Sequence, residues 1–142
     1  MIFFIASDHG GFSLKETLKK YLAAKNILVE DLGCNSNDSC DYPDFGHALA
    51  KKILSMPNSS GIAICGTGIG ISMALNRHSG IRAARCVSVD DAKMSRLHND
   101  ANVLVLGGRI TDKKIAEQMV DVFLATKFEG DRHKLRVKKI EI

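Results

Sequence analysis

Three stretches, MIFFIA, GIAIC and ANVLVLGG, are apolar almost throughout, and each runs into a polar or glycine-rich loop. A strand with one wet face alternates polar and apolar residues. A run without that relief belongs to a strand covered on both faces. The segments between these runs carry a helical period instead. SLKETLKKYLAAK places Leu14, Leu18, Tyr21 and Leu22 on one stripe and assigns its lysines to the opposite, solvated face. FGHALAKKILSM follows Pro43, a residue suited to the first turn of a helix. TDKKIAEQMVDVFLATK is amphipathic and starts at a Thr111 or Asp112 cap. GIGISMALNRH and DDAKMSRLHND read as further helices, ILVEDLG and IRAARCVSV as shorter strands, and DRHKLRVKKIEI as a final short helix. Strand and helix thus alternate about five times. This predicts an α/β fold: a doubly wound, mostly parallel five-stranded sheet flanked by helices. No repeat, linker or low-complexity stretch divides residues 1–142, so one domain is expected.

Such sheets bind ligands at the carboxyl ends of their strands. The loops SDHGG, CGTGIG and GGRIT all follow strands, so they are expected to share one edge. Several function classes drop out on composition. The chain has no Trp and only 6% aromatic residues, which disfavours stacking platforms for bases. A net charge of +4 suits a small anion better than a nucleic acid. No apolar run is long enough to span a bilayer, and the first residues lack the basic region of a secretory signal. Cys34, Cys40, Cys65 and Cys86 form no CxxC pair, so a zinc ribbon is not expected and reduced thiols in the cytoplasm are.

Candidate chemistry concentrates in AICGTGIGIS. Gly66, Gly68 and Gly70 permit a sharp turn and bring backbone N–H groups close to a ligand. At a helix N-terminus such a loop favours an anion. It matches neither GxGxxG, because Ile71 stands at the third glycine position, nor the Walker phosphate loop. A plain strand-to-helix turn remains an alternative. Cys65 precedes the loop. It is either a buried strand-end residue or a thiolate acting as nucleophile or proton acceptor, with His9 or His98 as a partner in space. A base beside an oxyanion cradle suits proton abstraction next to a carbonyl. Asp8 and His9 could orient a hydroxyl or phosphate, or Asp8 could simply cap a turn. His98, beside Asn99, could be a general acid or a helix-end histidine. Arg132 and Arg136, four apart, would present two guanidinium forks to a phosphate, or form part of a solvated basic tail. His47 and His78 carry no partner signal, and Lys138 and Lys139 read as solvent-facing.

Taken together, SDHGGF, DYPDF, CGTGIGISMALNR, GIRAA, HNDANVLVLGGR and RHKLRV resemble the type B ribose-5-phosphate isomerases and related sugar-phosphate isomerases. The match spans nearly the whole chain in order. The resemblance implies interconversion of ribose 5-phosphate and ribulose 5-phosphate through an enediolate. It makes Cys65 the base and Gly66, Gly68, Ile69 and Gly70 the cradle, and it gives Thr67 and His98 to ring opening. Asp8, Tyr42 and Asn99 become contacts to sugar hydroxyls. His9, Arg132 and Arg136 become phosphate ligands, and Arg109 a further substrate contact. It also implies a homodimer or homotetramer with its sites between subunits, and no metal or organic cofactor. Related branches act on galactose 6-phosphate or allose 6-phosphate. From another class, a non-catalytic sugar-phosphate or nucleotide-binding domain would not need Cys65 or His98. One departure stands out: relatives carry two glycines before the RH pair, whereas here Asp131 takes the second place. It is expected to cap the last helix rather than to pair with Arg132.

Overall fold

In the computed structural model, which describes residues 2–142, the buried apolar runs pair into one sheet of five strands. These are β1 (Ile2–Ser7), β2 (Val29–Asp31), β3 (Ser59–Cys65), β4 (Ala83–Arg85) and β5 (Val103–Gly107), in the order β2-β1-β3-β5-β4. Every pairing is parallel, so the expectation of a mostly parallel sheet is met in full. The strands read from ILVEDLG and IRAARCVSV are shorter than those stretches, three residues each, because they lie at the two sheet edges.

Alternate side chains leave the sheet on opposite faces, and each face has its own core. Phe3, Ile5, Ile62, Ile64, Leu104 and Leu106 pack beneath α1 (Phe12–Ala24), α4 (Val89–Asn99) and α5 (Lys113–Ala125). Phe4, Ala6, Ala63, Cys65, Val103 and Val105 pack beneath α2 (Tyr42–Ser55) and α3 (Ile69–Asn76). The last helix, α6 (Arg132–Lys138), lies against α4. Asp112 caps α5, accepting the Lys114 and Ile115 N–H groups. None of the described helices is long and apolar enough to cross a membrane.

Three expectations change. Lys15 does not face solvent: it is fully buried, its Nζ donating to both Asp31 oxygens at 2.7 Å and to the Cys34 carbonyl at 2.6 Å. His47 and His78 do have a partner, each other, with Nδ1 and Nε2 2.7 Å apart across the α2–α3 packing. Burial, and then the neighbouring His47 and Lys51, lower the pKa of His78.

Asp131 stands at the N-cap of α6 but makes no capping hydrogen bond, and Arg132 instead donates to Glu129 at 3.2 Å. The Asp131 backbone has φ 47 and ψ −126, a conformation that glycine adopts freely and a β-carbon resists. Asp131→Gly should therefore raise stability by about 1 kcal/mol after the extra chain entropy of glycine is subtracted. That corresponds to a Tm about 2–4 °C higher in a chain of this size. Thermal unfolding checks this, and an unchanged or lower Tm contradicts it.

Candidate active site

The order β2-β1-β3 puts the topological switch of the sheet between β1 and β3. The chain leaves β1 toward one side and β3 toward the other, which opens a crevice at their carboxyl ends. SDHGG and CGTGIG sit on that crevice, and GGRIT joins them from β5. The three loops meet as expected. A β-carbon on Gly10 would lie 3.1 Å from the Gly66 nitrogen, and one on Gly108 would lie 2.5 Å from the Gly10 carbonyl oxygen. Glycine is required here because backbone lies on backbone.

Cys65 ends β3 at 4% exposure, and its Sγ accepts the Gly68 N–H at 3.2 Å. Gly68 has φ +79, the left-handed turn that lets α3 start four residues after the cysteine. Thr67 is exposed, its Oγ1 accepting the Ile69 N–H at 3.2 Å. The Arg109 guanidinium lies over Gly66, and the Tyr42 ring lies over Gly70, each where a β-carbon would collide. Asp8 is buried, and its Oδ1 accepts the Gly11 N–H at 3.1 Å across the turn. His9 Nδ1 accepts the Cys40 N–H at 3.2 Å, which fixes the ring at the crevice rim.

The remaining candidates lie elsewhere. α4 runs back from the carboxyl end of β4 toward the start of β5, so His98 and Asn99 sit at the opposite, amino edge of the sheet. The local contacts agree. Arg82, just before β4, donates to the Asn99 carbonyl at 3.2 Å, and Glu129 N donates to Leu97 O at 3.0 Å. α6 brings Arg132 and Arg136 to this same end, where both are exposed. The His98 and His133 rings stack with centroids 4.3 Å apart. Glu129 joins the cluster, its Oε2 lying 3.9 Å from His98 Nε2. Burial, then the charges of Arg132 and His98, hold the pKa of His133 below the ordinary histidine value. The candidate residues thus fall into two groups at opposite edges of the sheet. One holds Cys65, the glycine loop, Asp8, His9, Tyr42 and Arg109; the other holds His98, Asn99, Arg132 and Arg136.

Sequence reasoning missed Glu129, His133 as a neighbour of His98, and Arg85, whose Nε donates to the Thr67 carbonyl at 2.8 Å and braces the glycine loop. His98, Glu129 and His133 bring their donor atoms within 4.8 Å of one another, but the two imidazoles stack face to face, so their lone pairs do not converge on a common point.

Residues 3–140 match the family model described as Ribose/Galactose Isomerase. The fold is similar to that of ribose-5-phosphate isomerase B from Clostridium thermocellum, with a TM-score of 0.96 and 47% identity over 99% of this chain and 95% of that one. It is also similar to the ribose-5-phosphate isomerase B of Mycoplasma genitalium, whose structure holds ribulose-5-phosphate. There the TM-score is 0.92 and the identity 43%, covering 97% of this chain and 92% of the other. Ribose-5-phosphate isomerase B of Escherichia coli is 41% identical over 133 residues, covering 94% of this chain and 89% of the relative.

Proposed function

The chain belongs to the ribose/galactose isomerase family, and on that premise we propose that it interconverts ribose 5-phosphate and ribulose 5-phosphate. The observation that carries this reading is the setting of Cys65. Its sulfur lies at the crevice between β1 and β3 and already holds a backbone donor from a glycine loop. As a thiolate, Cys65 removes the proton from the carbon next to the carbonyl and returns it to the neighbouring carbon. The N–H groups of Gly66 to Gly70 face the oxygen on which charge grows, and such donors act most strongly in the transition state. His98, assisted by Thr67, protonates the ring oxygen so that the sugar opens before isomerisation. Asp8, Tyr42 and Asn99 hold hydroxyls. His9, Arg132 and Arg136 hold the phosphate, with Arg109 beside them; the phosphate anchors the substrate far from the reacting carbons.

These roles require the two half-sites to meet, and a second copy supplies the missing half. The crevice rim supports that assembly. Tyr42 is 40% exposed, Ile69 45% and Ile110 53%, large side chains on the crevice loops and helix starts that a partner would cover.

The decisive assay measures interconversion of the two pentose phosphates by the purified protein, with no metal added. Turnover is expected, and a faster reaction on allose 6-phosphate or galactose 6-phosphate overturns the five-carbon assignment. A thermal-shift screen covers the non-catalytic alternative. Stabilisation by ATP or NAD but not by pentose phosphates removes the isomerase reading.

A further inference from the structure

The geometry points to Arg85 as a positioning residue for the proton transfer, acting on Cys65 through the peptide group that joins Thr67 to Gly68. Arg85 ends β4 beside Val105 of β5, and like Val105 it leaves the sheet on the face that carries Cys65. Its side chain reaches the glycine loop, where Nε donates to the Thr67 carbonyl at 2.8 Å. The N–H of that same peptide, on Gly68, donates to Cys65 Sγ at 3.2 Å. Guanidinium, peptide and sulfur are thus joined by two hydrogen bonds in line.

A cation on a peptide oxygen draws electron density from the nitrogen and makes its N–H a stronger donor, by roughly 10–30% for each coupled bond. A sulfur that accepts this N–H is favoured as the thiolate. The placement of Arg85 is otherwise unfavourable. It sets a positive charge just before the N-terminus of α3, where the helix dipole is already positive. α3 has no acidic residue in its first turn and no side-chain cap, and among the described residues Arg85 makes no ion pair. An unneutralised positive field suits a place where an anion forms: the Cys65 thiolate, and then the oxygen on which charge grows.

Bare glycine backbone lets the parts approach. A β-carbon on Gly107 would lie 2.8 Å from the Thr67 carbonyl oxygen, and one on Gly68 would lie 3.4 Å from Arg85 Cγ. The other charged and titratable groups at the loop are Arg109 over Gly66, Tyr42 over Gly70, and Asp8 and His9 on the neighbouring loop after β1. Among the described residues, none of these is hydrogen-bonded to the Thr67–Gly68 peptide. The neighbours of Cys65 in its core are apolar. The effect on the sulfur stands on this geometry alone. Its consequence for turnover rests on the reading of Cys65 as the base.

The test follows the ultraviolet absorbance of the thiolate against pH. Taken as the difference between each protein and its Cys65→Ser counterpart, it separates Cys65 from Cys34, Cys40 and Cys86. In Arg85→Gln the midpoint should rise by about half a pH unit, which leaves about threefold less thiolate below it. The acid limb of the kcat profile should rise with it while KM is kept, because Arg85 acts through the loop and not on the substrate. Arg85→Lys returns a charged donor and should recover at least about half of the shift. Arg85 is exposed on an edge strand, so both variants are expected to fold. An unchanged midpoint in Arg85→Gln overturns the proposal. An equal shift in Arg85→Lys does so too, because it makes the arginine a brace and not a source of charge. A raised midpoint with an unmoved kcat profile upholds the relay and counts instead against Cys65 as the base.

Discussion

Two inactive variants of this chain should regain activity when they are mixed. Cys65→Ser removes the proposed base and His98→Asn the proposed acid, and each should lower kcat by about 10²–10⁴-fold, the usual contribution of such a group. In one chain they cannot serve the same substrate. Cys65 lies at the carboxyl end of β3, whose seven residues rise about 3.3 Å each, so the opposite edge of the sheet is roughly 20 Å away. His98 is at that opposite edge, whereas proton transfer needs contact at about 3 Å. In a two-fold dimer, the carboxyl edge of one copy meets the amino edge of the other. A mixed dimer then contains one intact site and one lacking both groups. Half the dimers are mixed after random exchange, and half of their sites work, so about a quarter of the wild-type activity should return. Each variant should keep its thermal stability and its affinity for the pentose phosphate, because neither residue anchors the phosphate. If subunits exchange and activity stays absent, the shared site is wrong. If Cys65→Ser alone turns over normally, the thiol is not the base.

The division of the site was partly legible beforehand. The loops after β1, β3 and β5 were expected at one edge because apolar runs without alternation mark parallel strands, and parallel strands end together. The same logic puts a segment just before a strand at the other edge, and HNDAN stands just before β5. His98 and Cys65 therefore could not meet within one chain, but that follows from topology and not from either motif. Lys15 carried a local signal as well. It lies three residues before Leu18 and seven before Leu22, on the buried stripe of α1, so its charge had to find a buried partner. The His47–His78 pair and the stacking of His133 on His98 carried none. Residues 31 and 35 apart in sequence meet only once helices have docked. The conformation of Asp131 was signalled only by the glycine that relatives carry there, because a positive φ at a non-glycine residue opposes the local preference of the chain.

The largest effect on stability should come from Asp31→Asn, at the end of β2 and remote from Cys65 in sequence. Lys15 is fully buried, and Asp31 receives its ammonium at 2.7 Å on both oxygens. Lys19 donates to the same carboxylate at 2.7 Å, and Gly33 N does so at 2.9 Å. Burial alone would raise the Asp31 pKa. The hydrogen bonds from Lys15, Lys19 and Gly33 overcome that and hold it below the ordinary aspartate value. A depressed carboxylate stabilises the fold at every pH above its unfolded-state pKa, about 3.9, and loses that contribution as pH falls through the folded value. Asparagine keeps the shape but strands the Lys15 charge in the interior, which costs about 3–5 kcal/mol. That is a large share of a typical total of about 5–15 kcal/mol. Lys15→Met removes the buried charge itself and leaves Asp31 with Lys19 and the Gly33 N–H. It should cost less than about 2 kcal/mol, mainly for the Cys34 carbonyl it abandons. Chemical denaturation of the two variants at one protein concentration separates these terms. A loss in Asp31→Asn no larger than in Lys15→Met would mean that the Lys15 charge is not held by this carboxylate. Acid should then narrow the gap between wild type and Asp31→Asn, beginning below the unfolded-state pKa of about 3.9 and closing as pH falls through the lower folded value, where protonation strands Lys15 in the wild type as well.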